Sequence, residues 1–293
     1  MLLNIILQQT ISGLAVGSMY ALVALGYSMI WGAMEVVNFA QGELFMLGAV
    51  LGVIFYKLIG VSFFITFVVV TFLLVIIGIT IRFLIVKHLR EKEHLMVIIA
   101  TAALSIIFKT LVIVWWGPEG DSFPSIFGED PVDFYGLIVI PQNIWIALIG
   151  IFFMVILFIF LKSSTVGTKM RAVAQDRLGA RLLGISVDKM DTITFAIGSA
   201  LAGFAGILMA PIFFVTPDMG GIIGLKGFIC AIIGGFGSIP GAMVGGLLLG
   251  VIENIITCFI SSGYRDAIAF FILILILYFL PEGLFKRRIE RRL

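Results

Sequence analysis

The sequence predicts an all-α fold, a polytopic membrane helix bundle of eight or nine transmembrane spans with a glycine-rich broken or re-entrant region. Three observations carry that prediction. First, 61% of the 293 residues are hydrophobic and only 12% are charged, at a mean hydropathy of +1.21. Soluble domains run at about 45–50% apolar with about a quarter charged, so a globular enzyme, a nucleic-acid binder and a disordered chain are all poor fits. Second, apolar stretches of spanning length recur along the chain. Third, the charges gather in a few segments between those stretches.

A spanning helix needs about 20 mostly apolar residues. In chain order the candidates are Ile5–Trp31, Leu44–Ile59, Ser62–Val86, Leu95–Trp116, Gln142–Leu161, Thr192–Thr216, Ile222–Phe236, Gly241–Ile260 and Tyr264–Leu280. Leu44–Ile59 and Ile222–Phe236 are short, so one of them is a candidate re-entrant segment and the count is eight or nine. The opening MLLNIILQQT has no basic region and no small-residue cleavage site, so the first stretch reads as a retained span. Cys230 and Cys258 sit 28 residues apart in apolar stretches. That spacing suits neither a disulfide framework nor a metal site, and both read as small buried hydrophobes.

Basic residues in short loops mark the inner side of a membrane. Arg82–His94, Lys162–Asp191 and the tail after Pro281 together hold 15 of the 19 Lys and Arg residues. The segment 117–141 has none, but carries Glu119, Asp121, Glu129, Asp130 and Asp133. Even numbers of spans separate the three basic segments, so they share the inner side and the acidic loop lies outside. Three spans before Arg82 would place the N-terminus outside. The outer loop carries Pro118, Pro124, Pro131 and Pro141 and reads as a docking element, a surface helix or a plain connector.

Eleven of the 33 glycines fall between Gly220 and Gly250. Six GxxxG pairs occur, hardly more than that glycine content yields by chance, but the clustering is informative. Gly234, Gly235, Gly237 and Gly241 permit either tight helix packing or a broken helix beside a substrate path. Ionisable groups at membrane depth cost about 2.5–3.5 kcal/mol on insertion scales, so each asks for a partner or a pathway. Asn38, Gln41 and Glu43, with Glu35, form one cluster. Lys226 and Glu253 with Asn254 are others. Lys226 either snorkels outward or pairs with a carboxylate that the sequence does not identify.

No catalytic set and no metal-ligand set emerges. The two histidines, His88 and His94, lie in a charged loop. GxSxG, HExxH and a P-loop are all missing from the sequence. ATP-driven transport would therefore take its nucleotide site from another chain.

The segment Lys162–Asp191 reads as a short amphipathic helix over Lys169–Leu183, with Met170, Ala174, Leu178 and Leu182 as one apolar stripe. Ser163–Thr165 offer its N-cap and Gly184 its stop. A membrane-surface helix held by anionic lipid and a helix docking into a partner fit this pattern equally.

The motif Thr165-x-Gly167-x3-Arg171-Ala172 followed by Ala180-x3-Gly184 resembles the coupling loop of the branched-chain amino acid family of ABC importer permeases. Asn38-Phe39-Ala40-Gln41-Gly42-Glu43 is similar to that family's Asn-Phe-Ala-(His/Gln)-Gly-Glu run. Gly234, Gly235, Gly237, Ser238 and Gly241, with Lys226 upstream, resemble its Gly-Gly-x-Gly-Ser-x-x-Gly run. The resemblance covers essentially the whole chain and is to the LivH-type subunit, with Gln41 where His is common.

It implies a single permease domain over 1–293, with 162–191 as a cytoplasmic coupling loop and 117–141 as a periplasmic loop. The implied partners are a second related permease forming a heterodimer, two cytoplasmic ATPases that use the ATP, a periplasmic substrate-binding protein and the lipid bilayer of a bacterial inner membrane. This chain would bind no cofactor and no nucleic acid, and its C-terminus would be cytoplasmic. Thr165, Gly167, Arg171, Ala172, Ala180 and Gly184 are then the expected coupling residues. Asn38, Gln41, Glu43, Lys226 and the Gly234–Gly241 run are the expected pathway or gate. The family carries leucine, isoleucine and valine, with relatives for other amino acids, amides and urea. A stand-alone secondary carrier with Glu253 as its titrating group is the alternative function. An intramembrane enzyme is disfavoured by the lack of buried histidine.

Overall fold

The computed structural model describes residues 2–89, 94–126, 128, 130–134, 137–259 and 262–285. Arg90, Lys92, Glu129 and the basic run Lys286, Arg287, Arg288, Arg291 and Arg292 lie outside the described residues. The chain folds into α1 (Leu2–Met34), α2 (Gln41–Val53, prolonged by a π turn over Ile54–Leu58) and α3 (Phe63–Ile81, prolonged by a π turn over Arg82–Val86 and by α4, Lys87–Leu89). There follow α5 (His94–Trp116), α6 (Pro141–Ser163), α7 (Thr165–Gln175), α8 (Arg177–Leu182), α9 (Val187–Met209), α10 (Met219–Gly234), α11 (Ile239–Phe259) and α12 (Arg265–Phe279).

Seven of these units are long and apolar enough to cross a membrane: α1, α2 with its π turn, α3 with its π turn and α4, α5, α6, α9 and α11. The second stretch, expected to be short, starts three residues early and reaches 18 residues. The other stretch expected to be short, Ile222–Phe236, is so: α10 has 16 residues, and α12 joins it with 15. At 1.5 Å per residue neither reaches the roughly 30 Å of a hydrocarbon core. In the outer loop, β1 (Val132–Phe134) and β2 (Leu137–Val139) pair as an antiparallel hairpin, where a surface helix had been one expectation.

Helix α1 is the centre of the bundle. From Ala15 to Leu25 its side chains are buried, and it packs against α11, α9, α6 and α10. Its contact with α11 explains one part of the glycine cluster. A Cβ at Gly250 would fall on the backbone of Gly17, one at Gly246 on Ala21, and one at Gly13 on Val251. Small residues four apart on both helices bring the backbones together, and dispersion holds them where lipid supplies no hydrophobic drive. Phe72 on α3, Ile106 on α5 and Phe152 on α6 face outward, as a lipid-facing surface requires.

The two ends of the bundle differ in charge. Asn143 at the start of α6 bonds Ser12 of α1 at 3.1 Å, and Lys57 after α2 pairs with Asp121 of the acidic loop at 2.5 Å. At the other end Arg82 pairs with Asp188 at 2.5 Å, and Arg177 binds the last turn of α1 and Asp191. The Arg82 segment and the 162–191 segment thus share one end, as the charge distribution required.

Gly250→Val should lower thermal stability in detergent by about 1–3 kcal/mol through overpacking. Gly221→Ala, whose new methyl meets nothing within 4 Å, should leave it unchanged. A denaturation series on both variants checks this.

Candidate functional site

Two interruptions of the bundle meet at membrane depth. The first is the connection from α1 to α2, where Glu35 takes a left-handed conformation (φ 56°) and turns the chain back. Gln41, at the start of α2, lies against Gly26 of α1 and donates from Nε2 to the Gly198 carbonyl at 2.8 Å. That places the start of α2 eight residues, about 12 Å, short of the end of α1. The second interruption is 210–218, between α9 and α10. A Cβ on Gly42 would strike the backbones of Gly220 and Gly224, so α10 starts beside the start of α2. The broken element expected in the glycine run is therefore earlier in the chain. Gly220–Gly234 is regular helix, and Gly235 and Gly237, at φ 97° and 80°, make a tight turn into α11.

That turn lies at the Arg177 end. The Gly241 N–H donates to Ser238 Oγ at 3.2 Å, and Gly234 packs backbone to backbone on Gly241. Leu284 N and Phe285 N donate to the carbonyls of Ile233 and Gly234 at 2.8 and 3.1 Å. Gly237 shares with Arg171, Met170 and Gly32 a cavity of about 310 Å³. The structure thus brings the glycine turn to the 162–191 segment, away from Asn38, Gln41 and Glu43.

Those three residues are buried, at 3% exposure or less, and facing them is a polar stripe on α5. The Phe39 N–H donates to Thr101 Oγ1 at 3.2 Å, Ser105 Oγ donates to Glu43 Oε1 at 3.0 Å, and Lys109 pairs with Asp218. Thr101, Ser105 and Lys109 are four residues apart, one face of a helix. The four-residue spacing was the signal that the sequence offered for this face. Asn38 Nδ2, Gln41 Oε1 and Glu43 Oε2 are buried without a hydrogen-bond partner. Buried polar atoms are almost always satisfied, so three exceptions within six residues mark a place with a task beyond packing. The Lys109–Asp218 pair is partly open, its side chains 42% and 67% exposed in this chain. A charge pair at that depth faces protein or water, not lipid.

A second polar group ties α10, α11 and α12 to α1. Lys226, 5% exposed, forms an ion pair with the fully buried Glu253 and a second at 2.9 Å with Asp266. Glu253 also accepts from Tyr20 at 3.1 Å and lies 3.5 Å from Arg265, whose Nη2 donates to Asn254 Oδ1 at 2.8 Å. Lys226 therefore does not snorkel. Its partner, which the sequence left unnamed, is the residue that a secondary carrier would need as a titrating group. Two cations and two carboxylates balance, which is how charge survives at depth.

The coupling segment differs from the single helix expected over Lys169–Leu183. Asp176, in extended conformation, breaks it and caps the second piece, accepting from Leu178 N and Gly179 N at 2.9 and 3.0 Å. Ser164 caps α7 through Gly167 N at 2.9 Å. Gly167 sits where a Cβ would strike Leu161. Arg171 folds over the start of the helix, donating to the Lys162 carbonyl at 3.1 Å, while Ala172 receives the Asp176 N–H. Thr165 is exposed at the first turn and Ala180 is buried. Gly184, at φ 77°, ends α8 with Ile185 N bonded to Ala180 O at 2.9 Å, a left-handed cap that glycine adopts without strain. The expected apolar stripe divides: Met170 is buried, whereas Leu178, Leu182 and Leu183 are 69%, 81% and 81% exposed.

Comparison with known proteins adds the family context. Residues 9–277 match the family model described as branched-chain amino acid transport system, permease component. The chain is 34% identical to the high-affinity branched-chain amino acid transport permease LivH of Escherichia coli K12 and to BraD of Pseudomonas aeruginosa, in each case over 96% of both chains. LivH of Salmonella typhimurium is equally similar. Among solved structures, PsaBC from Streptococcus pneumoniae covers 93% of this chain and 90% of its own at 14% identity and a TM-score of 0.49, too distant to carry a functional reading.

Lys226→Met should destabilise the protein by about 3–5 kcal/mol, because it leaves the buried Glu253 with only the more distant Arg265 as counter-charge. Adding Glu253→Gln should restore most of that loss. A double-mutant cycle of unfolding in detergent measures both; an additive double mutant would contradict the pairing.

Proposed function

The chain belongs to the branched-chain amino acid transport permease family, and on that premise we propose that it is the membrane subunit of an ATP-driven importer for branched-chain or related amino acids. It pairs with a second, related permease, takes its energy from two cytoplasmic ATPases and receives cargo from a periplasmic binding protein. The Arg177 end, with the C-terminus, faces the cytoplasm of a bacterial inner membrane; the acidic loop faces the periplasm. Thr165, Gly167, Arg171, Ala172, Ala180 and Gly184 shape the coupling segment, and Asn38, Gln41 and Glu43 lie beside the pathway. Lys226 holds the pathway helices in register, and the Gly234–Gly241 turn acts as a hinge rather than a wall.

The observation that carries this reading is the exposure of Leu178, Leu182 and Leu183 on a segment with little freedom to move independently. Three large apolar side chains at the water-facing end of a membrane protein suit burial in a partner's groove. Their helix is fastened behind by Arg177, which binds the Ala33 carbonyl on α1 and both Asp191 oxygens, at 3.2 and 2.7 Å. Ala33 is two residues from the turn at Glu35, and Asn38 and Gln41 follow at once. A push on α8 is thus delivered through one guanidinium to the interruption that holds the unsatisfied polar atoms. An ATPase that moves its groove on nucleotide binding would shift the α1–α2 connection, and with it the start of α10 against Gly42. A zwitterion passes along the α5 face, where Lys109 and Asp218 are open and carry opposite charges.

The test is purification of the tagged chain with its co-expressed genomic neighbours, followed by reconstitution. Recovery of a second permease and ATPases, with ATP hydrolysis stimulated by a leucine-loaded binding protein, is the expected result. Uptake by this chain alone, without ATP, would instead identify a secondary carrier. Within the reconstituted complex, Leu182→Asp should reduce stimulated hydrolysis and leucine uptake at least tenfold, since a carboxylate cannot enter an apolar groove cheaply. Arg171→Glu combined with Gly184→Pro should abolish uptake, because proline cannot adopt the φ that Gly184 holds. Normal transport by that double variant would remove the coupling role from this segment.

A further inference from the structure

The end that carries Arg82 has a charged feature that the transport reading leaves unused. Two adjoining cavities, of about 330 and about 380 Å³, share Arg82, Lys87 and Asp188 in their walls. The first is completed by Arg177, Arg181 and Asp191. The second opens past Phe83, Lys189 and Ile193.

Among the described residues the charges in the first cavity do not balance. Both of its carboxylates are engaged, Asp188 by Arg82 at 2.5 Å and Asp191 by Arg177 at 2.7 Å. Lys87 and Arg181, on α4 and α8, have no carboxylate partner among the described residues. Lys87 only lies over the Phe83 ring at 4.9 Å, and His94 lines the same cavity. Arg82 is itself 3% exposed, so the wall is a fixed guanidinium rather than a mobile surface side chain. Two like charges held over one cavity repel each other and attract an anion.

The surroundings decide what kind of anion. The cavities lie where α3 ends and α9 begins; Phe83, in the wall of the second, is 49% exposed, and Leu84 and Leu95, next in the chain to Phe83 and His94, are 68% and 59% exposed. Exposed apolar side chains next to a basic cavity mark the level at which a helix leaves hydrocarbon for headgroups. The second cavity leads from the basic wall toward that apolar collar. Basic pockets between spanning helices at this level suit anionic lipid headgroups.

We propose that these cavities bind an anionic phospholipid, its phosphate between Lys87 and Arg181 and its acyl chains leaving along Phe83 and Ile193. The bound headgroup links α8 to the end of α3 and neutralises the excess charge behind the coupling segment. This inference needs only that the chain spans a bilayer, and it stands whether or not the importer reading holds.

The experiment is native mass spectrometry of the full-length chain, purified with its co-expressed neighbours, delipidated and titrated with phosphatidylglycerol, phosphatidylcholine or inorganic phosphate. Phosphatidylglycerol should bind at least tenfold more tightly than phosphatidylcholine. Lys87→Gln and Arg181→Gln, which leave both ion pairs in place, should each weaken it about fivefold. Lys169→Gln, a charge lost at the same end but outside the cavities, should have no effect. Equal binding of the two lipids would overturn the proposal, as would variants that bind like the parent. Inorganic phosphate that binds as tightly as the lipid would identify a soluble-anion site and also overturn it. Because lipid retention is read directly, a failure here is distinct from a failure of transport.

Discussion

Hydrocarbon offers no hydrogen bonds, so a helix interrupted inside a membrane must be enclosed by protein. This chain has two such interruptions, at 35–40 and 210–218, and most of the architecture follows from enclosing them together. The start of α2 rests on α1 and α9, the start of α10 rests on Gly42, and the polar face of α5 closes over both. Glycines at 42 and 224 let the two helix starts touch backbone to backbone, while Gly26 and Gly220 leave room for the side chains of Gln41 and Glu43. The α1–α11 contact serves the same enclosure from behind, by holding the central helix rigidly in place.

The two polar groups inside the bundle have opposite characters. Around Lys226 each charged group has an opposite charge nearby, and the group joins four helices that the loops alone would leave free to slide. Around Glu43 the side chains are buried but incompletely bonded. Arg265 Nε also lacks a hydrogen bond, but the balanced charges around it rigidify the first group, whereas the second has three unpaired atoms within six residues and little to fix them. A transporter needs both, a frame that does not yield and a short stretch that does. The two groups meet on α10, whose Lys226 and whose start at Gly220 lie within two turns of each other.

The coupling segment shows how a small sequence feature acquires a mechanical meaning. Its break at Asp176 lets α8 turn its leucines outward while Arg177, the next residue, reaches inward to α1. The cap therefore lets the exposed leucines and the Arg177 contact with α1 lie on different sides of the segment.

The sequence by itself determined the fold class, most of the apolar stretches, the common end of the Arg82 and 162–191 segments, a cap within Ser163–Thr165 and the stop at Gly184. Each of these depends on composition or on neighbours within a few residues, and such information is written locally. Asp176 was also legible, as an N-cap residue followed by Leu178 and Gly179, but a four-residue apolar spacing runs through a break without registering it. Only the tertiary structure decided the rest. It chose Glu253 as the partner of Lys226, moved the helix break from the glycine run to 35–40, and set Thr101 and Ser105 against the Phe39–Glu43 stretch. Those are pairings across 27 to 62 residues of chain, and in an apolar sequence many helices could take either neighbour. What selects among them is which backbones can approach at glycine and which buried charges can be neutralised, and both are properties of the assembled bundle.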